Sequence, residues 1–346
     1  MTTYHGRRAA AIENEHLRVT VLEEGGHIAE ILDKETGINP LWTPPWRSIE
    51  HSAYGPAVSA EYGANVEGSL LAGIMGHNLC LDIFGGPSAE EAAAGLPVHG
   101  EGATARYGIH EADGALTQCA HLPVAQIAFE RRLELRGRAL QIREAVESLA
   151  AYDRPIGWTQ HVTLGPPFLE NGATQFRASA TRSKVFEGKF GEDDYLRAGA
   201  EFDWPCAPRS DGGTEDMRVF NRAPVSGGFT THLMDPARDD AFFAAYSPAS
   251  RLAIGYVWKQ ADFPWLGIWE ENHSRRHAPW NGKSLTRGME FGVSPMPESR
   301  RAMIERGKLF GVPTYRWLPA KGRLEVEYWT MTVRADAVPE ILERPA

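Results

Sequence analysis

Two histidines and one glutamate, each in a segment punctuated by glycine or proline, are the side chains of this sequence best suited to proton transfer: His99 in LPVHGEG, His161 in GWTQHVTLGPP and Glu290 in RGMEFGVSP. Imidazole and carboxylate are groups whose proton affinity a local environment readily moves toward neutral pH. Pro97 and Gly100 bracket His99, which predicts a turn where backbone approaches a ligand closely, although a surface turn histidine reads the same way. His161 alternates with Thr163 on a predicted strand whose other face carries Val162 and Leu164 and which stops at Gly165-Pro166-Pro167. A polar row of Trp158, Gln160 or His161 beside an apolar row reads as the concave, ligand-binding face of a sheet; a half-buried histidine with satisfied hydrogen bonds is the alternative. Glu290 stands between Met289 and Phe291. A carboxylate in a buried or cleft position among apolar groups has its pKa raised and becomes fit for proton transfer, whereas at a solvated edge it is ordinary.

The elements that must position these groups are strands. LRVTVL at 17–22 and HIAEILD at 27–33 are separated by the turn residues EEGG, and KETG follows, so the chain opens as β-hairpins. From Ala125 to Leu149 apolar and charged residues alternate on either side of Arg136-Gly137-Arg138, with Leu133 and Leu135 answered by Leu140 and Ile142, which predicts a long solvent-faced hairpin. LEVEYWTMTV at 324–333 repeats the pattern with aromatic and β-branched residues suited to a pleated surface. Helical signal is confined to 88–95, with Ser88 as N-cap, and 299–307, closed by Gly307. Thirty-five glycines and 23 prolines spread over 346 residues fit many strands and turns, and no linker or repeat divides the chain. The expectation is a mainly β protein, one large antiparallel β-sandwich domain over 1–346 with a few short helices, its edges covered by those helices or by the irregular stretches 40–75 and 185–225.

Composition narrows the partners. A formal charge of −9 lacks the basic face that a duplex nucleic-acid binder needs. There is no apolar segment after the arginines of MTTYHGRRAAAIENEH and no run of about 18 apolar residues, so the expectation is a soluble cytoplasmic protein without membrane contact. Cys80, Cys119 and Cys206 are widely spaced, match no zinc pattern and are expected to be buried thiols.

The order of the three segments resembles that of the aldose 1-epimerase, or galactose mutarotase-like, superfamily. Its members carry an early histidine in a Leu-His-Gly-type turn, a second in a strand, and a late glutamate in a strand that precedes a proline. GIMGHNLCLDIFGGPS at 73–88 resembles the Gly-rich segment before the first histidine, and FPWLGIWEENH at 263–273 the strand before the glutamate. The resemblance spans about residues 12–333. Departures are visible: His77 and Asn78 stand near the place of the family's sugar-binding arginine, Gly100-Glu101 replaces a pair of glycines, and Glu290 is followed by Phe291-Gly292 in place of Thr-Gln. The resemblance implies a mutarotase-like supersandwich and an isomerase acting at the anomeric centre of a sugar, without metal or organic cofactor. Glu290 would then be the base, His161 the acid and His99 a positioning partner.

Further contacts expected for a carbohydrate are His77, Asn78, Trp158, Gln160, Asp235, Trp269 and Glu270, with Trp265, Trp280 and Lys259 as additional candidates. Arg275-Arg276 and Arg287 could together hold a phosphate, with a solvated charged loop as the alternative. Two other readings stand beside the isomerase: a non-catalytic carbohydrate-binding protein on the same fold, and a metal enzyme using His99, His161 and Glu290 as a facial triad. Pairing of two copies into a homodimer is left open.

Overall fold

Two antiparallel sheets lie face to face, and their apolar faces meet in the main core. The computed structural model describes residues 2–345. The larger sheet has 12 strands, and across its centre run Ile28–Asp33, His77–Asp82, Arg154–Leu164, Leu285–Gly292, Trp265–Asn272, Ser226–Met234 and Ala180–Val185. The 8-stranded partner includes Asp240–Ser247, Leu252–Lys259, Arg323–Arg334, Ala139–Ser148 and Ile127–Arg136. Neighbours in the larger sheet come from distant parts of the sequence, which is how His161 and Glu290 can meet.

Local sequence explains the elements it predicted. Leu17–Leu22 and Ile28–Asp33 pair as expected, with Gly25 and Gly26 at φ of 80° and 60° in the turn. The long hairpin turns at Gly137, and Leu133 faces Ile142 while Leu135 faces Leu140. Ser88 caps the helix Ala89–Ala93 in a capping box with Glu91, and Ser299 caps Arg300–Arg306, which Gly307 ends at a φ of 63°. The hairpin is less solvated than its charges suggested. Arg131 and Glu144 point inward and pair at 2.7 Å inside the sandwich.

The larger sheet is covered on both faces. One face meets the smaller sheet through residues such as Val162, Leu164, Ile268, Met289 and Phe291. The other is roofed by a second apolar cluster containing Trp42, Leu70, Leu71, Trp265, Trp269 and Trp280. Hence Ser226–Met234 and Trp265–Asn272 are buried throughout, without the exposed alternate residues of a one-sided sheet. The stretch 40–75, expected to guard an edge, instead covers this second face and contains two short helices, Ser59–Tyr62 and Gly68–Gly73. The stretch 185–225 does both: it supplies the edge strand Glu201–Asp203 and also brings Phe190 over the face. Among the cysteines only Cys80 is buried; Cys119 is half-buried and Cys206 is exposed on a short outlying ribbon. No helix among the described residues is long and apolar enough to cross a membrane.

Candidate active site

Register places the chemistry. His161 is directly opposite Glu290 on the adjacent strand, Asn78 is opposite His161 on its other side, and Gly267 and then Thr231 continue the row beyond Glu290. One row across five strands therefore reads Asn78, His161, Glu290, Gly267, Thr231, all on the roofed face. Two glycines make room for the carboxylate. A Cβ on Gly288 would lie 2.2 Å from Glu290 Oε1, and one on Gly267 would meet the Phe229 ring at 2.7 Å and Glu290 Cβ at 3.5 Å.

Glu290 and His161 are 3% and 4% exposed, and His161 Nε2 lies 3.2 Å from Glu290 Oε1. That oxygen has no aligned hydrogen bond in the unliganded arrangement. Burial pushes the Glu290 carboxyl well above its usual 4.5, with the Arg275 charge pulling the other way. Burial likewise holds His161 well below 6.5, helped by His99 beside it. Burial thus drives both groups toward their neutral forms, a protonated carboxyl beside an uncharged imidazole. Thr163 Oγ1, 3.0 Å from His161 Nδ1, fixes the ring on its far side.

His99 enters from a loop. Its φ of 64° is held by backbone bonds from His99 N to Gly85 O and from Leu81 N to His99 O, and Gly100 has no room for a Cβ because Leu81 O would be 1.9 Å away. The ring sits edge-on to His161 with centroids 5.1 Å apart. Burial, then the Arg275 charge, brings its pKa down to about 4, so the imidazole is neutral near pH 7. Cys80 Sγ is in hydrogen-bond contact with Nδ1, and burial, then Glu290, holds that thiol well above its usual pKa. The contact suits a thiol S–H donating to Nδ1, the arrangement in which the His99 proton sits on Nε2. In that tautomer His99 presents an Nε2–H donor.

These groups line a cavity of about 180 Å³ closed by Leu70, Leu71, Ile74, Phe190, Trp269 and Trp280, with Arg275 and Glu67 as its other charged residues. Trp269 packs edge-on to both His161 and Trp280, and Trp280 stacks on Trp42. A larger hollow beyond Phe190, about 420 Å³, carries Glu187, Glu192 and Asp194. Those carboxylates are already bound by Arg306 and Lys184, by Arg276, and by the Phe190 and Gly191 N–H groups, so the smaller cavity is the chemically open one.

The structure brings His99, His161, Glu290 and Trp269 around the cavity, with Asn78 opposite His161 on the same face of the sheet, and places most of the other expected contacts elsewhere. Trp158 and Gln160 flank His161 in sequence, but a strand sends alternate side chains to opposite faces, and both lie in the core between the sheets bonded to Glu144. His77 is on that same inner face, with Nε2 3.1 Å from Gln160 Oε1. Glu270 also points inward, accepting from Arg287 at 2.9 Å and from Ser226 at 2.5 Å. Asp235 caps a hairpin turn through Ala237 N, and Lys259 is exposed at a strand end; neither lines the cavity. Trp265 packs beside the site with its N–H on Pro313 O, and Trp280 lines it. The supposed phosphate cluster divides three ways: Arg287 is in the core, Arg276 is exposed and paired with Glu192 and Asp193, and only Arg275 reaches the cavity. Among the described residues no three His, Cys, Asp or Glu side chains are grouped so as to hold a metal ion. Cys80, Phe190 and Gly288 were not identified as site residues from sequence. Strand alternation with Asn78 would have found Cys80, and the glycine two residues before Glu290 was the signal for Gly288.

Solved structures with this fold include a candidate aldose 1-epimerase from Klebsiella pneumoniae, 13% identical, covering 96% of this chain and 80% of that one at a TM-score of 0.67. A galactose mutarotase-like protein from Clostridium acetobutylicum is 12% identical, with 96% and 97% covered and a TM-score of 0.60. A galactose mutarotase related enzyme from Lactobacillus acidophilus is 12% identical, with 96% and 100% covered and a TM-score of 0.59. No protein-family model and no curated protein matches the sequence. At these identities the likeness is one of fold, and it extends over nearly the whole chain.

Proposed function

We propose that this protein is a carbohydrate isomerase of the aldose 1-epimerase type, interconverting the α and β anomers of a sugar in the cavity between His99, His161, Glu290 and Trp269. The observation that carries this reading is the direct cross-strand pairing of His161 and Glu290, 3.2 Å apart in a buried cavity, with burial shifting both toward neutrality. Anomer exchange needs one base and one acid at the same moment, and a pair sharing one proton supplies both.

In the carboxylate–imidazolium form of the pair, Glu290 removes the proton of the anomeric hydroxyl while His161 protonates the ring oxygen. The C1–O5 bond breaks as the C1=O1 bond forms. Rotation about C1–C2 presents the other carbonyl face, and closure returns one proton from Glu290 to O1 and takes one from O5 to His161, so the pair ends as it began. His99 Nε2–H donates to a sugar oxygen and sets the ring's position, and Trp269 offers an aromatic face to the C–H patch of a pyranose.

Magnetisation-transfer NMR on a panel of aldoses and aldose derivatives tests this directly. The expected result is faster α/β exchange for at least one sugar than in buffer alone. A sugar that binds the cavity while its exchange stays at the buffer rate, for every member bound, would replace the isomerase with a non-catalytic carbohydrate-binding protein.

A further inference from the structure

Every buried arginine among the described residues has a carboxylate as hydrogen-bond partner: Arg7 with Glu50, Arg131 with Glu144, Arg154 with Asp82 and Arg287 with Glu270. Arg275 does not. Its side chain is 16% exposed, and its closest carboxylate oxygen is Glu271 Oε2 at 3.7 Å. Glu271 Oε1 is already committed to the N–H groups of Ser274 and Arg275, at 2.7 and 2.9 Å. Among the described residues the Arg275 guanidinium donates no hydrogen bond to a protein acceptor. It is held by aromatic faces, 4.9 Å from the Trp280 centroid, 5.4 Å from Trp269 and 5.6 Å from Phe190, and all three line the cavity.

A guanidinium removed from most of its water and left without a hydrogen-bonded carboxylate awaits one. Its charge is felt at both Glu290 and His99, so it borders the place where a sugar would lie. It is the single cationic side chain lining the cavity, and Glu67 and Glu290 line the same walls. A phosphate monoester carries about −1.5 to −2 charges at neutral pH, which one guanidinium beside two carboxyl groups would leave uncompensated. One planar fork matches one carboxylate.

Resting on the isomerase reading, we propose that the substrate is a sugar acid of the uronate class, its carboxylate against Arg275 and its anomeric carbon between Glu290 and His161. Anomer exchange of D-glucuronate and D-galacturonate is compared with that of D-glucose, D-galactose and D-glucose 6-phosphate, for the unaltered protein, Arg275→Gln and Arg275→Lys. One uronate is expected to exceed its neutral parent in kcat/KM by about tenfold or more. Arg275→Gln should bring that ratio close to one, and Arg275→Lys, which keeps the charge and loses the fork, should fall between. A neutral hexose equal to its uronate in the unaltered protein, a ratio that survives Arg275→Gln, or a preference for the 6-phosphate would each overturn the proposal. Calorimetry with the uronates separates this from the isomerase reading. Uronate binding that Arg275→Gln removes, without acceleration of any sugar, keeps the anion site and sinks the catalysis. Acceleration of neutral sugars alone does the reverse, and neither binding nor acceleration sinks both.

Discussion

A buried carboxylate stands on each side of the strand Arg154–Leu164, and the two are treated in opposite ways. Behind it, in the core between the sheets, Glu144 accepts from Gln160 at 2.6 Å, Arg131 at 2.7 Å, Tyr328 at 2.8 Å and Trp158 at 3.0 Å. In front, under the roof, Glu290 Oε1, both amide atoms of Asn78 and the indole N–H groups of Trp269 and Trp280 are buried without a partner. Each such group costs on the order of 1–3 kcal/mol relative to a paired one. A fold that saturates one buried carboxylate with four donors and leaves another bare, with only the sheet between them, stabilises itself on the first face and keeps the second for a ligand.

The largest test exchanges the two carboxylates' fates. Glu144→Ala strands the Arg131 charge in the core, and its cost should be about 3–5 kcal/mol of unfolding free energy in denaturant titration. Glu290→Gln removes an acid that burial disfavours in its ionised form, so its denaturation midpoint should stay or rise while anomer exchange falls by about 10²–10⁴-fold. A Glu290→Gln protein as unstable as Glu144→Ala would erase the distinction between the faces.

Acidity sharpens the same contrast. In the proposed mechanism the pair works with one proton, so the rate should fall on the acid side as His161 gains a second, below 6.5, and on the alkaline side as Glu290 loses the last, above 4.5. Stability should respond with definite sign. Between about 4 and 6.5 the unfolded chain protonates His99 and the folded one does not, so stability rises with pH there. Glu290 acts oppositely: above 4.5 the folded state keeps a proton that the unfolded chain gives up, and stability falls as pH rises through the folded value. Thermal melts of Glu290→Gln across pH should lose that second slope, and a melt profile identical to the unaltered protein would place the carboxyl in solvent.

The same two faces explain what was legible in the sequence. Hairpins, caps and the β-sandwich follow from alternation, turn glycines and capping serines, because those signals are local. His161, His99 and Glu290 were found as polar groups set among glycines, prolines and apolar neighbours. Their companions were misjudged in adjacent pairs: Gln160 beside His161, Glu270 beside Trp269, His77 beside Asn78. A strand permits one member of each pair to face the cavity. Alternating polarity usually tells which, but this sheet is covered on both faces, and both faces hold polar residues, so hydrophobicity lost its power to discriminate. Arg275 was visible in sequence only as part of a basic cluster, since its isolation from carboxylates exists only in three dimensions.

The smallest expected effect concerns the hold on His99 at the front face. Cys80 projects from the His77–Asp82 strand on the same side as Asn78, with Sγ in hydrogen-bond contact with His99 Nδ1, where its S–H can hold the ring. Without it the imidazole can place its proton on either nitrogen, and half of the useful donor at Nε2 is lost along with the ring's orientation. Cys80→Ala should therefore raise KM by about two- to tenfold, the worth of one hydrogen bond. Cys80→Ser, which retains a donor, should recover most of the loss. The pH–rate profile should keep both limbs in both variants, because the limbs belong to His161 and Glu290. If Cys80→Ala instead moved the acid limb, His99 would be exchanging protons with the substrate, and the division between a fixed donor and an acid–base pair would have to be redrawn.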